Sequence, residues 1–465
     1  MNSRVLGAAA LAVAVLLLYG NACRAPQSAA AAPAASPAPV AVELPEAITA
    51  ACPARATNDE PAPRPSEPTW RVRNPHLTWQ RDPATTVSFT WTTDAANTQS
   101  YQPRAIVAPA SAACGTGERL FAVGRTTAGQ GEVLVTRVGG DRIPVPAWTV
   151  EVTGLQPETD YVARVGSWTE VAGKRPRLAN ISELLHFRTG APKGSRAPFQ
   201  VVLAGDSRGG SPEIRRQAER LAAIPAVAWF FNGDMTPRGS QDEWNDWFTA
   251  MAPILRRRPL MPVQGNHELQ SELYYSQFAL PVEPGLAAQL TEHAWSLDLG
   301  NVHFVGLDSN TGEGIARQVP WLRGNLAKAQ ADPQIDYTIC MMHHAPWSAS
   351  AHGSHEGIQA TWGPLFDQYG VDLVFSGHDH NYERTIALQG GKAAPPGQGV
   401  VYVVAGGFFA PGYPNGHEWF TATSTHGDQH NYVVLNVTDQ ALTLAAYSGD
   451  GGRVLDQFTL PRPPR

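Results

Sequence analysis

Five short apolar runs in the second half of this chain each stop at an aspartate, asparagine or histidine. Phe199–Ala204 leads to Gly205-Asp206, and Val227–Phe231 leads to Gly233-Asp234. Leu260–Val263 leads to Asn266-His267, Tyr337–Met342 to His343-His344, and Val371–Phe375 to His378 and His380. Short apolar runs bounded by turn residues read as strands buried on both faces. Side chains at the carboxyl ends of such strands open into one crevice of an α/β sheet. A single Gly-Asp after a strand is usually turn chemistry. Five strand ends in succession that gather two Asp, one Asn and several His point instead to a metal site. Oxygen and imidazole donors suit Fe, Mn or Zn, and no Cys converges with them to favour a softer metal.

The segments between these runs read as an α/β domain over residues 197–463. Pro212–Ile224 is an amphipathic helix capped by Ser211, and Glu243–Leu255 is a second helix. Ser296–Leu299 and Val302–Leu307 form a hairpin turning on Gly300-Asn301. Gly399–Ala405, Tyr432–Val437 and Leu442–Tyr447 return to β structure.

Residues 67–190 follow a different rule. Val87, Phe89 and Trp91 alternate with Ser88, Thr90 and Thr92, and Trp148, Val150 and Val152 alternate with Thr149, Glu151 and Thr153. A period of two predicts half-buried strands. Leu155 to Tyr161 matches a tyrosine corner, in which the Tyr hydroxyl bonds back to the upstream backbone. The expectation is a fibronectin-III-like sandwich that serves as a packing partner.

Ahead of it, Arg4 and the apolar stretch Val5–Tyr19 have the length of a signal-peptide core, with small residues at Gly20-Asn21-Ala22. Residues 1–22 are thus expected to direct export, secreted or periplasmic. Cys23 is an alternative site for a lipid anchor. Residues 23–66 are dominated by Ala and Pro and read as a linker. An exported chain permits disulfides, and Cys52 with Cys114 is the expected pair. Cys340 sits in an apolar run and is expected to be a buried thiol. The net charge of -6 is spread out, with no Lys/Arg run to make a nucleic-acid-binding face.

The residues Gly205-Asp206, Gly233-Asp234, Gly265-Asn266-His267-Glu268, His344-Ala345-Pro346-Trp347 and Gly377-His378-Asp379-His380-Asn381-Tyr382-Glu383-Arg384 resemble the calcineurin-like metallophosphoesterase signature. The last box resembles its purple acid phosphatase branch. The resemblance extends from about Thr69 to Leu460. It implies a metallophosphoesterase domain built as a two-sheet β-sandwich core flanked by helices, and two bound metal ions. Asp234 would bridge them, Asp206 and His380 would complete one site, and Asn266, His344 and His378 the other. His344 is preferred to His343 by the His-x-Pro-Trp pattern. His267 and His355 would bind phosphate and protonate the leaving group.

Two positions depart from that pattern. Arg208 stands where relatives carry His or Gly, and is a candidate to grip a substrate phosphate or form a structural salt bridge. Pro237 stands where purple acid phosphatases carry the Tyr that colours their iron. The resemblance therefore implies hydrolysis of small phosphate monoesters without the purple colour. Phosphodiester or nucleotide cleavage is the alternative, and a degenerate phosphate-binding surface protein is a third reading.

Overall fold

The computed structural model describes residues 71–462 apart from 94–100, 115–116, 139–140, 170–176, 269–271, 396 and 426–428. The expected signal peptide, Cys23, the linker and Cys52 lie outside the described residues. Cys114 is disulfide-bonded. Cys340 is a buried free thiol, as its apolar surroundings predict. Among the described residues no helix is long and apolar enough to cross a membrane.

The N-terminal portion is mostly β. Val72–Thr78, Val87–Thr93, Asp141–Val152 and Gln130–Val138 make one sheet in that spatial order. Arg125–Ala128, Tyr101–Pro109, Asp160–Thr169 and Arg177–Ile181 make a second, and Leu185–Arg188 also pairs with Asp160–Thr169. Phe89, Trp91 and Val150 of the first sheet share a core with Val107, Ala163 and Val165 of the second. The tyrosine corner is present: Gln156 N–H donates to the Tyr161 hydroxyl at 2.9 Å. The expected half-exposure of Val87–Thr93 is not found, since all seven residues are buried. This sheet packs toward the C-terminal domain, and the Ser88 hydroxyl is satisfied by Gln80 at 3.0 Å. At the same junction His76 stacks on Phe248 at 4.6 Å, and Trp79 enters the main core.

The C-terminal portion holds two larger sheets. Leu260–Pro262, Ala228–Phe231, Phe199–Ala204, Asn431–Val437, Ala441–Ser448 and Val454–Pro461 form the first, in that order. Trp295–Leu299, Val302–Gly306, Tyr337–Met341, Leu373–Ser376, Val401–Ala405, Tyr382–Thr385 and Thr421–Ser424 form the second. The strands that lead to the polar boxes run parallel to their neighbours: Phe199–Ala204 with Ala228–Phe231, and Tyr337–Met341 with Leu373–Ser376. Their carboxyl ends therefore lie on one edge.

The apolar runs are explained by two cores. Phe304, Ile339, Met341 and Phe375 face the first sheet. Val305, Cys340, Met342 and Val374 alternate with them and face Ile315, Leu322 and Leu326 of the helix Gly312–Ala331. A strand covered on both sides has no polar face, so its sequence shows no alternation. The helix Gln241–Leu255 begins earlier than its apolar pattern suggests, because Ser240 and Glu243 form a reciprocal capping box. The helix Gly312–Ala331 has no counterpart in the sequence reading, since Pro320 lies inside it and obscures the periodicity.

Candidate metal centre

The chain turns sharply after Phe199–Ala204, Ala228–Phe231 and Leu373–Ser376. Asp206, Arg208, Asp234 and His378 all adopt left-handed backbone with φ of 62°, 52°, 55° and 69°. Such conformations are costly outside glycine and cluster at functional sites. Close approach explains a neighbouring glycine. A Cβ on Gly377 would fall 2.2 Å from Asp206 Oδ2, so only glycine lets the Asp206 carboxylate reach the loop. His378 N–H then donates to both Asp206 oxygens at 3.0 Å each.

Two groups of donors converge, and both include Asp234. Asp206, Asp234 and His380 make one; Asp234, His343 and His378 make the other. His380 Nδ1 donates to Pro411 O at 2.6 Å, which leaves Nε2 bare, 3.6 Å from Asp206 Oδ1. His343 Nδ1 donates to Asn232 O at 2.7 Å, which leaves Nε2 bare. That nitrogen lies 2.9 Å from Asn266 Oδ1, 3.2 Å from His378 Nδ1 and 3.4 Å from Asp234 Oδ1. Carbonyl contacts of this kind fix a histidine tautomer and aim its lone pair.

The electrostatics suit a cation. Burial, and then the nearby Asp234, push the Asp206 carboxyl well above the usual range. Burial lowers His380 to about 4 and holds His343 and His378 well below the ordinary imidazole value. Neutral imidazoles are the ligand form of these histidines, and a cation beside the crowded carboxyls would favour their deprotonated form. Asp234 Oδ2 is buried and accepts no well-aligned hydrogen bond. The residues present fit metal ions held by oxygen and nitrogen donors.

Other residues of the boxes hold this geometry in place. Glu268 is fully buried and accepts from the backbone N–H groups of Asp234, Thr236 and Gly265 at 2.9, 3.0 and 2.8 Å. One carboxylate thus ties the Asp234 turn to the Asn266 turn. Burial and Asp234 raise its own carboxyl to about 7. Tyr382 and Arg384 pin the end of their box to the last strand: Tyr382 Oη donates to Asp456 Oδ2 at 2.7 Å, and Arg384 Nε does so at 2.6 Å.

The sequence-named residues fall into two sets. Asp206, Asp234, Asn266, His378 and His380 are brought together. His344 is not in either group; its Nδ1 lies 3.0 Å from Ser309 Oγ and its ring 4.4 Å from that of His378, while His343 belongs to the second group. The two histidines follow the strand Tyr337–Met341 in a bend, and both rings lie against that of His378, at 5.0 and 4.4 Å. His267 borders the centre, with N–H to Asp234 Oδ1 at 2.9 Å and Nδ1 to Pro237 O at 2.6 Å. Arg208 also borders it, with Nε 2.9 Å from Asp234 Oδ2 and terminal nitrogens near His267 Nδ1 and His380 Nε2 at 3.1 and 3.4 Å. His355 lies further out. Its Nδ1 caps the helix Glu356–Thr361, and its ring is 5.7 Å from that of His344. The sequence reading missed two residues at the mouth. His352 stacks on His378 at 4.1 Å, and Tyr413 stacks on His380 at 4.0 Å. Both come from irregular loops, where no periodicity marks a residue.

The calcineurin-like phosphoesterase family model matches residues 199–382, and the purple acid phosphatase N-terminal domain model matches residues 72–189. The chain carries a calcineurin-like phosphoesterase domain and a purple acid phosphatase N-terminal domain. An uncharacterized protein of Mycobacterium tuberculosis is 32% identical over 317 residues, covering 58% of this chain and 57% of that protein. Purple acid phosphatase 15 of Arabidopsis thaliana is 29% identical over 293 residues, covering 55% of this chain and 52% of that protein. The matches thus span little more than half the length of these relatives. The structure of a purple acid phosphatase from yellow lupin seeds superposes with a TM-score of 0.69 at 19% identity, covering 84% of this chain and 74% of that one. That likeness shows a common fold. The N-terminal domain is accordingly the purple acid phosphatase type, a coarser description than the fibronectin-III-like one expected.

Proposed function

We propose that this phosphoesterase hydrolyses phosphate monoesters of small molecules at a centre of two metal ions, in the manner of an acid phosphatase. The observation that carries the reading is the pair of donor groups that share Asp234. Asp206, Asp234 and His380 would hold one ion, and Asp234, Asn266, His343 and His378 the other. Metal ions in such a site acidify bound water and neutralise charge on phosphoryl oxygens.

The chain's own residues supply the rest. Arg208 presents a planar set of N–H donors beside Asp234, suited to two phosphoryl oxygens at once. His267 Nδ1 is held by Pro237 O, so its Nε2 faces the centre, 4.0 Å from Asp234 Oδ2. Protonated there, it gives its proton to the departing oxygen. The buried floor, with Asp206 and Asp234 fully enclosed, excludes bulk water and strengthens each charge interaction. An exported location, from the N-terminal pattern, completes the proposal.

The test is metal content per chain together with product release. Two ions and faster turnover of p-nitrophenyl phosphate than of bis(p-nitrophenyl) phosphate are expected. Faster diester turnover would overturn the monoester reading. Two bound ions with neither ester cleaved would favour a phosphate-binding protein.

A further inference from the structure

Two loops close over the centre and are tied to each other. Ser350 pairs with Asn415 as an antiparallel bridge, Gly416 N–H donates to Ala349 O at 3.0 Å, and Ser350 Oγ donates to Pro414 O at 3.1 Å. Each loop is also anchored to the metal-binding box. His352 N–H donates to Asp379 Oδ1 at 3.0 Å, and Ser348 Oγ donates to Asp379 Oδ2 at 2.6 Å. On the other loop, Tyr413 N–H donates to His380 O at 3.3 Å while Pro411 O receives His380 Nδ1. These contacts fix where the two aromatic side chains stand.

Their arrangement is specific. Tyr413 lies flat on His380, with ring centroids 4.0 Å apart and planes 11° from parallel. His352 lies nearly flat on His378, at 4.1 Å and 28°. The two outer rings meet edge to face at 5.2 Å and 77°. His352 is exposed and Tyr413 is half-buried. A pair of rings in this geometry leaves aromatic surface facing solvent directly above the buried carboxylates. Packing alone does not call for it, because burial would serve that purpose as well.

From this geometry we infer that Tyr413 and His352 form an aromatic rim that selects a flat ring in the alcohol part of the phosphate ester. The inference rests on the phosphoesterase reading of the centre and names its substrate class. A phosphoryl group seated at Asp234 with its ester oxygen toward solvent would pass His378 and His380, on which these rings stack. A ring attached close to that oxygen gains stacking contact there. A saturated ring of the same size gains only contact area.

The experiment compares benzyl phosphate with cyclohexylmethyl phosphate, which share attachment, size and leaving-group type. The metal-loaded wild type is expected to favour the benzyl ester in kcat/KM by about fivefold, the scale of one aromatic pair. Tyr413→Leu is expected to bring the ratio close to one, and Tyr413→Phe to keep it. An even ratio in the wild type, or a ratio retained by Tyr413→Leu, overturns the inference. Calorimetric binding of benzylphosphonate against cyclohexylmethylphosphonate reads the same preference without turnover. If the phosphonates are discriminated and neither ester is cleaved, the rim stands and the hydrolase reading fails. If both esters are cleaved equally and both phosphonates bind equally, the hydrolase reading stands and the rim fails.

Discussion

Arg208 Nε lies 2.9 Å from Asp234 Oδ2, so the one residue shared by both donor groups is also paired with a guanidinium. A charge-assisted contact from Arg208 to substrate contributes about 1.5–3 kcal/mol. Arg208→Ala is expected to lower kcat/KM for phosphate esters by about 10- to 100-fold, largely through KM. An unchanged KM would assign Arg208 a structural pairing with Asp234 alone.

His343 and His344 separate a ligand from its neighbour. His343→Ala is expected to lose about one metal ion per chain, because the second group loses a donor. His344→Ala is expected to keep its metal, since Ser309 is its partner. Elemental analysis of both variants decides, and the reverse result would restore the His-x-Pro-Trp assignment.

Glu268 accepts three backbone N–H groups from the turns that carry Asp234 and Asn266. Glu268→Gln keeps the shape but replaces one acceptor oxygen with a donor. The expected cost is about 1–3 kcal/mol of stability, with weaker metal retention. Denaturant unfolding measures the first and dialysis against chelator the second. A variant of wild-type stability would contradict the bracing role.

His76 is buried at the domain junction, and burial lowers its value to about 4 from 6.5. The unfolded chain therefore takes up a proton between these limits while the folded chain does not. The contribution of His76 to stability is complete above pH 6.5 and is lost as the pH falls toward 4, by up to about 3 kcal/mol. The metal-site histidines titrate in the same direction, so the quantity to measure is the difference between wild type and His76→Gln across this range. A flat difference curve would remove His76 as the cause.

Pro237 offers a carbonyl to His267 and has no side-chain ligand atom. Iron-loaded protein is expected to lack the visible tyrosinate charge-transfer band. A strong band would point to another phenol, and Tyr413 stacked on His380 would be the one to mutate.

The strands that lead to the five polar boxes were legible in the sequence, because a doubly covered strand must be apolar along its length and must end in polar turn residues. Ser211 and the Gly300-Asn301 turn were legible for the same reason: caps and tight turns are local chemistry. The choice between His343 and His344 was not local. It depends on how the chain bends after the strand Tyr337–Met341, which pairing on both sides holds in place. Likewise, His352 and Tyr413 stand over the centre only because their loops are hydrogen-bonded to each other and to the box Gly377–Arg384. The sequence by itself determined that Asp, Asn and His residues gather at the strand ends. Only the tertiary structure decided which histidines face into it and which aromatic rings border its mouth, since those depend on contacts between residues far apart in the chain.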